Sequence, residues 1–451
     1  MKKFVLGIVV GLVAASLFIV GRAAVVVKRG KSNEPSIASN SALVLHLDGH
    51  LPETPPVEID IPFLSSQTAP TVREMWTSLH AAAKDDRIKA IVLEPHSLSL
   101  GWAKLQELRA QITAFKQSGK PVYAYLRAPG MREYYLASVA DKIYLEPDDF
   151  LDVKGLRLET MYLKGTLDKL GVTFEVDHIG KYKDAGDMFT RNNMSPETRE
   201  VLNGVLDQIY SDFCATTAAS RHKSGDELRA LVDQGPFLAA QAKSAGLVDQ
   251  LGYEDQLYGD LKSALKSGDL RKTNYNLYIR ATPRGDGTRI ALLAGEGDIV
   301  RGAVDDPFGQ QQVIASQTFA KQIEQVRRDN SIKGVIVRVD SPGGDAVASD
   351  EILHELKLLS KAKPVVISMS DLAASGGYFI SMTGDPVVAY PNTITGSIGV
   401  LYGKPNLHGL YDKLGIQKEL LTRGKLADID SDYTNLSEAG HQKLHEGIVA
   451  T

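Results

Sequence analysis

Cysteine is almost absent from this 451-residue chain: Cys214 stands alone, so no intramolecular disulfide can form and the redox compartment stays open. Cys214 lies in a helical run and reads as core packing. An excess of charge of either sign is also missing. There are 51 Lys and Arg against 55 Asp and Glu, a net charge of −4, and no long basic or acidic run. That gives no sign of a nucleic-acid surface, and phosphate-binding readings lose support with it. Ten histidines are present, His354 and His408 among them, yet none sits in a recognisable Gly-x-Ser-x-Gly, His and Asp arrangement. What is plentiful is hydrophobic residues, 43% of the chain, enough for two or more domains with real cores. The chain is neither disordered nor fibrous.

The long apolar run is Phe4 to Gly21, preceded by Lys2 and Lys3. It is longer than a usual secretory core and just long enough to span a bilayer, so residues 1–28 read as a non-cleaved signal anchor, a transmembrane helix. Gly21-Arg22-Ala23-Ala24 leaves a cleaved signal peptide as the alternative. Orientation is weakly determined, because Arg22, Lys28 and Arg29 oppose Lys2 and Lys3. Residues 29–40 look like a polar tether.

Two stretches further on carry the chemistry. In the first, Ile332 to Val339 is a β-branched run of the kind buried on both faces of a parallel sheet. It ends in Asp340-Ser341-Pro342-Gly343-Gly344-Asp345, and a helix follows with Ile352, Leu356 and Leu359 on one stripe. A Gly-Gly turn there exposes backbone amides at the carboxyl edge of the sheet, where α/β folds place ligands. The amide of Gly344 could stabilise an oxyanion. The second stretch predicts a strand over Pro364 to Met369, a helix opening at Ala373-Ala374-Ser375-Gly376-Gly377, a strand over Val387 to Tyr390 and a Gly/Ser/Thr loop. A serine between alanines and glycines at a helix start is open to substrate backbone, and the positive helix end favours a developing anion. Ser375 is the candidate nucleophile. The plainer reading of each stretch is an ordinary helix cap and an ordinary strand-to-helix turn.

The chain also repeats itself. Ile88-Lys89-Ala90-Ile91-Val92 matches Ile332-Lys333-Gly334-Val335-Ile336, Lys120-Pro121-Val122 matches Lys363-Pro364-Val365, and Asp168-Lys169-Leu170-Gly171 matches Asp412-Lys413-Leu414-Gly415, at offsets of 243 or 244 residues. A nearly constant offset indicates duplication, two βαβ-rich copies over 41–265 and 289–451 joined by a polar linker at 266–288. Leu105, Leu108, Ile112 and Phe115 form another apolar stripe in the first copy. The copies differ in chemistry: Arg132 occupies the position of Ser375, and Pro95-His96-Ser97-Leu98 replaces the Gly-Gly turn. The first copy cannot supply this nucleophile or this oxyanion turn.

Asp-Ser-Pro-Gly-Gly, Ala-Ala-Ser-Gly-Gly-Tyr and Ile-Thr-Gly-Ser-Ile-Gly, in this order and spacing, resemble the signal peptide peptidase A (protease IV) family of Ser/Lys peptidases. The resemblance covers nearly the whole chain after the N-terminal run. It implies an α/β fold of the ClpP/crotonase type, here in two tandem copies, and a lysine base in place of histidine. Burial can pull a lysine down from about 10.4 by three to five units. Single-copy members carry that lysine in a Gly-x-x-Lys-Asp pattern. The second copy reads Gly424-Lys425-Leu426-Ala427-Asp428, with alanine in the slot, whereas the first reads Gly180-Lys181-Tyr182-Lys183-Asp184. The resemblance therefore splits the dyad, Lys183 from one copy and Ser375 from the other, with Lys425 and Lys181 as displaced competitors. By the same resemblance Ser397 directs the lysine amine, no metal or cofactor is required, and substrates are cleaved signal peptides and other unfolded apolar stretches. It further implies a bacterial inner-membrane protein with its body on the extracytoplasmic side, assembled as a homo-oligomer, a tetramer in long-form members. Two rivals remain: a crotonase-type acyl-CoA enzyme, and a membrane-anchored scaffold with a vestigial site. The stretch after Ser437 is much shorter than its counterpart from Ser195 to Gly252, so the second copy looks cut inside its last helices.

Overall fold

The computed structural model describes residues 36–55, 70–282, 287–303 and 312–450; the apolar run expected to form a membrane anchor lies outside them. Two parallel sheets carry the described chain. The first begins with β1 (Ser41–Gly49) and alternates through α1 (Val72–Lys84), β2 (Ile88–Leu98), α2 (Trp102–Lys116), β3 (Val122–Leu126), α3 (Met131–Ala137) and β4 (Lys142–Leu145). Thr71 starts α1 with a capping box to Glu74, which satisfies amides that a helix start leaves open. A projecting pair follows, α4 (Lys164–Leu170) and β5 (Thr173–His178), then the long α5 (Pro196–Ser220), β6 (Gln250–Leu251), β7 (Arg271–Asn274) and α6 (Tyr275–Ala281). The strand order is β6-β4-β3-β2-β1-β7. Every residue of β3 is buried, as a strand covered by helices on both faces requires. Leu105, Leu108, Ile112 and Phe115 of α2 are buried in that core.

The second sheet starts at β8 (Arg289–Glu296). A two-stranded ladder of β9 (Asp298–Val300) and β10 (Val313–Ala315) leads to α7 (Ser316–Arg328), β11 (Ile332–Ser341), α8 (Ala346–Ala362), β12 (Val365–Ala374) and α9 (Gly376–Ile380). Then come β13 (Val387–Val388), β14 (Ile394–Gly396), β15 (Leu401–Asn406), α10 (His408–Leu414) and α11 (Glu438–Ala450). Its order is β8-β11-β12-β13, with β14 also on β12. The stripe of Ile352, Leu356 and Leu359 is fully buried against it.

Three local expectations change. The strand over 364–369 continues to Ala374, because an irregular register skips from the pair Val339 and Met369 to the pair Ser341 and Ala373. Ser370, Asp371 and Leu372 thus bulge opposite Asp340 alone, and the strand resumes on its way to Ser375. The strand over 387–390 shortens to two residues. The linker expected at 266–288 largely belongs to the first sheet: β7 pairs with β1, and Tyr275 and Tyr278 of α6 are buried. Arg271-Lys272-Thr273-Asn274 reads as polar linker because an edge strand hides little side chain; only Thr273 is buried there.

The two sheets are stitched by an antiparallel pair, β5 on β15, running from Thr173 opposite Asn406 to His178 opposite Leu401. Gly171 and Gly409 press together at its base, where a Cβ on Gly171 would lie 2.8 Å from the Leu410 amide. This stitch carries the loop after β5 to the carboxyl end of β12.

Candidate active site

Ser375 stands at the bend between β12 and α9 with φ 52° and ψ −117°, a conformation that side chains rarely adopt and that surrounding contacts must hold. Its amide donates to Gly396 O at 2.9 Å, and its carbonyl accepts from the Phe379 amide at 2.8 Å. Gly343, at φ 100°, lies against it. A Cβ there would stand 2.5 Å from Gly376 N and 2.7 Å from Ser375 Cβ, so only glycine lets the turn close on the serine. The turn itself is pinned: the Ile299 amide donates to Gly343 O at 2.8 Å, Asp345 N to Ile299 O at 2.9 Å, and Ser341 Oγ to Gly297 O at 2.7 Å. Among the described residues no hydrogen bond engages the Gly344 amide.

Lys183 arrives on the loop after β5. Ile179 N donates to Val400 O at 2.9 Å, continuing the stitch beyond its last strand pair. Gly180, at φ 107°, leaves 2.7 Å between its Cβ position and Ile398 O. The loops therefore touch backbone to backbone. Lys183 is 7% exposed, and its Nζ lies 2.7 Å from Ser375 Oγ, 2.9 Å from Ser397 O and 3.2 Å from Ser397 Oγ. Burial pushes its pKa below the ordinary lysine range, against a weaker upward pull from Asp184. Asp184 is turned to the Thr198 hydroxyl at 2.6 Å.

The structure thus brings Ser375, Lys183 and Ser397 together, with the Gly344 amide on the turn beside them. The competitors are elsewhere. Lys425 is exposed; Lys181 is exposed and faces the Tyr182 hydroxyl at 3.3 Å. His354 lies exposed on α8, and His408 stacks on Tyr433. Arg132, at the position matching Ser375, donates from Nε to Leu100 O at 2.9 Å with its guanidinium over the Trp102 ring. Cys214 is buried in the first core, as read. Among the described residues no group of three His, Cys, Asp or Glu is placed to hold a metal ion.

Sequence reasoning missed a buried charge cluster between the sheets. Lys104, fully buried, has Nζ 2.7 Å from Asp340 Oδ2, 3.5 Å from Glu53 and 3.6 Å from Glu296. Arg338 bridges Glu53 at 3.0 Å and Glu107 at 2.6 Å. Asp371 accepts from Gly101 N at 2.8 Å and Lys104 N at 2.7 Å. The available signal was charge in apolar context: Lys104 beside the stripe of α2, and Arg338 inside a β-branched run.

The parallel α/β fold, which is of the Clp protease type, thus sets a serine on a strained strand-to-helix bend, a buried lysine against it and an open amide on the adjoining turn. Residues 308–395 match the family model described as Clp protease. Residues 114–267 and 357–450 match that of Peptidase family S49, and the chain belongs to this family. It is 35% identical to the chloroplastic serine protease SPPA of Arabidopsis thaliana over 87% of this chain and 58% of that protein. Protease 4 of Haemophilus influenzae is 32% identical over 88% of this chain and 68% of its own length. Protease 4 of Salmonella typhi is 34% identical, with 77% and 58% covered. The chain therefore spans between 58% and 68% of the length of these relatives.

Proposed function

We propose that this chain is a membrane-anchored serine endopeptidase in which Lys183 and Ser375, from two sibling copies of one fold, form the catalytic dyad. The observation that carries this reading is the 2.7 Å approach of Lys183 Nζ to Ser375 Oγ in a place where burial favours the neutral amine. A neutral amine has two hydrogens and one lone pair. Its hydrogens go to Ser397 O and Ser397 Oγ, and the lone pair is left for the Ser375 proton.

In the reaction, Lys183 takes the Ser375 proton as Oγ attacks a peptide carbonyl. The Gly344 amide, with the Gly376 amide beside it, receives the developing oxyanion. Lys183 returns the proton to the leaving amine, and water then hydrolyses the acyl-enzyme with the same lysine as base. Ser397 acts as an orienting residue.

The substrate class we propose is cleaved signal peptides and other unfolded apolar segments. Two features support it. Among the described residues β14 pairs only with β12, leaving an edge to which an extended peptide can add as a strand. Ile398 beside Ser397 and Ile394 on β14 are exposed, an apolar rim next to the dyad. The apolar run at 4–21 would tether the body to the bacterial inner membrane, on the extracytoplasmic side where released signal peptides lie. Among the described residues no helix is long and apolar enough to cross a membrane. The two separate stretches that match one family model support duplication of the fold. Assembly as a tetramer belongs to the same proposal.

The test is cleavage of a signal-peptide-derived fluorogenic substrate. Ser375→Ala and Lys183→Ala should each abolish it while circular dichroism is unchanged; a Lys183→Ala enzyme with full turnover would remove the lysine from the mechanism.

A further inference from the structure

Lys104 touches neither Ser375 nor Lys183, yet it holds both strands that deliver the reacting groups. Its side chain reaches Asp340 Oδ2 at 2.7 Å, and Asp340 lies four residues before Gly344 at the end of β11. Its main-chain amide donates to Asp371 Oδ1 at 2.7 Å, and Asp371 lies four residues before Ser375 in the bulge of β12. The other Asp371 oxygen accepts from Gly101 N at 2.8 Å, so a carboxylate of the second sheet caps the first turn of α2 in the first. Across the bulge, Leu372 N donates to Asp340 Oδ1 at 3.0 Å. Gly101 has no room for a side chain, since a Cβ there would meet the Asp371 carboxylate. One residue of α2 thereby ties the two lips of the bulge together.

The choice of lysine fits that task. Burial alone would strip its proton, but Glu53, Asp340 and Glu296 around it outweigh burial and hold its pKa above the ordinary value. The ammonium also donates to Leu51 O at 3.1 Å. A full charge held on the chain before the Gly-Gly turn resists the sliding that a bulged, irregular register would otherwise permit.

We infer that Lys104 is a positioning residue for the reaction: by clamping Asp340 and Asp371 it sets the distance between the Gly344 amide and Ser375 Oγ. This rests on the Ser/Lys reading above. An oxyanion donor displaced by about 1 Å costs on the order of 100-fold in rate while leaving the substrate groove intact. Loss of the clamp should therefore fall on kcat and spare KM.

The test compares wild type, Lys104→Met, Lys104→Arg and Asp371→Asn in the full chain. Active sites are counted by fluorophosphonate labelling of Ser375, and turnover of the fluorogenic peptide is expressed per labelled site. Lys104→Met should lose about 10- to 100-fold in kcat per labelled site with KM within about twofold, and Lys104→Arg should recover a good part of it. Asp371→Asn keeps the side-chain volume and should lower kcat in the same sense, by about 3- to 10-fold; it carries the test if Lys104→Met does not fold. A merely structural lysine would lower the melting temperature and the number of labelled sites but leave kcat per site unchanged, and that result overturns the inference. Should wild type itself fail to label at Ser375, the dyad reading falls and this inference with it, whereas a labelled wild type with unaffected variants removes only the clamp.

Discussion

Two buried lysines of the first sheet region, Lys104 and Lys183, are 0% and 7% exposed and nevertheless sit on opposite sides of the ordinary lysine pKa. Lys104 is surrounded by the carboxylates of Glu53, Asp340 and Glu296, which hold its proton on. Lys183 meets hydroxyl and carbonyl oxygens of Ser375 and Ser397, while Asp184, which pulls its pKa upward, is engaged with Thr198, and burial holds its pKa below the ordinary lysine range. Burial is common to both, so the partners decide whether a buried lysine is a fixed charge or a base.

The largest effect expected from breaking this contrast is catalytic: Lys183→Ala or Ser375→Ala should lower kcat at least about a thousandfold, read by peptide turnover, since members of a catalytic unit fail together. Gly343→Ala comes next. Its Cβ would crowd Gly376 N and Ser375 Cβ at a φ of 100°, so the oxyanion turn must move, with about a hundredfold loss in kcat and little change in KM.

Stability should separate the lysines by sign. Lys104, whose folded pKa is raised, contributes stability in full below its unfolded pKa near 10.4 and loses it as pH rises through the folded value. Lys104→Met should thus destabilise by about 3 to 5 kcal/mol at neutral pH, measured by urea unfolding, because three carboxylates lose their cation. Lys183, whose folded pKa is lowered, is a burden while protonated. Between its folded pKa and about 10.4 the unfolded chain binds the extra proton, so stability rises with pH there. Lys183→Met should be more stable than wild type at the acid end of that window, with the gap closing toward its alkaline end. Activity should rise with pH over the same titration, as the neutral amine forms.

A smaller effect belongs to Ser397→Ala, which removes the 3.2 Å contact of the amine but keeps the carbonyl one; about tenfold in kcat is expected. Lys425→Ala, at an exposed position, should change turnover by less than about twofold.

Much of this was legible in the chain. The β-branched run into Asp340-Ser341-Pro342-Gly343-Gly344 and the stripe of α8 are local patterns that survive without coordinates, and the Gly-x-x-Lys-Asp slot at Lys183 came from the family resemblance. The bulge at Ser370 to Leu372 was not legible, because it depends on pairing with β11 and on Asp371 finding the start of α2, some 270 residues away. Nor was β7, whose polar residues lie on a sheet edge where composition resembles a linker. The backbone strain at Ser375 also depends on tertiary contact: Gly343 presses on it from the turn after β11, and Gly396 O on β14 holds its amide. Residue type marked Ser375 as the candidate nucleophile, but only packing could show how it is aimed.

The proposed pairing of Lys183 with Ser375 can be probed by the rate at which a fluorophosphonate modifies the native protein as a function of pH, with the modified residue located by mass spectrometry. Modification at Ser375 is expected, rising with pH to a midpoint below that of an ordinary lysine, and lost in Lys183→Ala. Modification of Ser375 at an undiminished rate in Lys183→Ala, or at another serine, would contradict it.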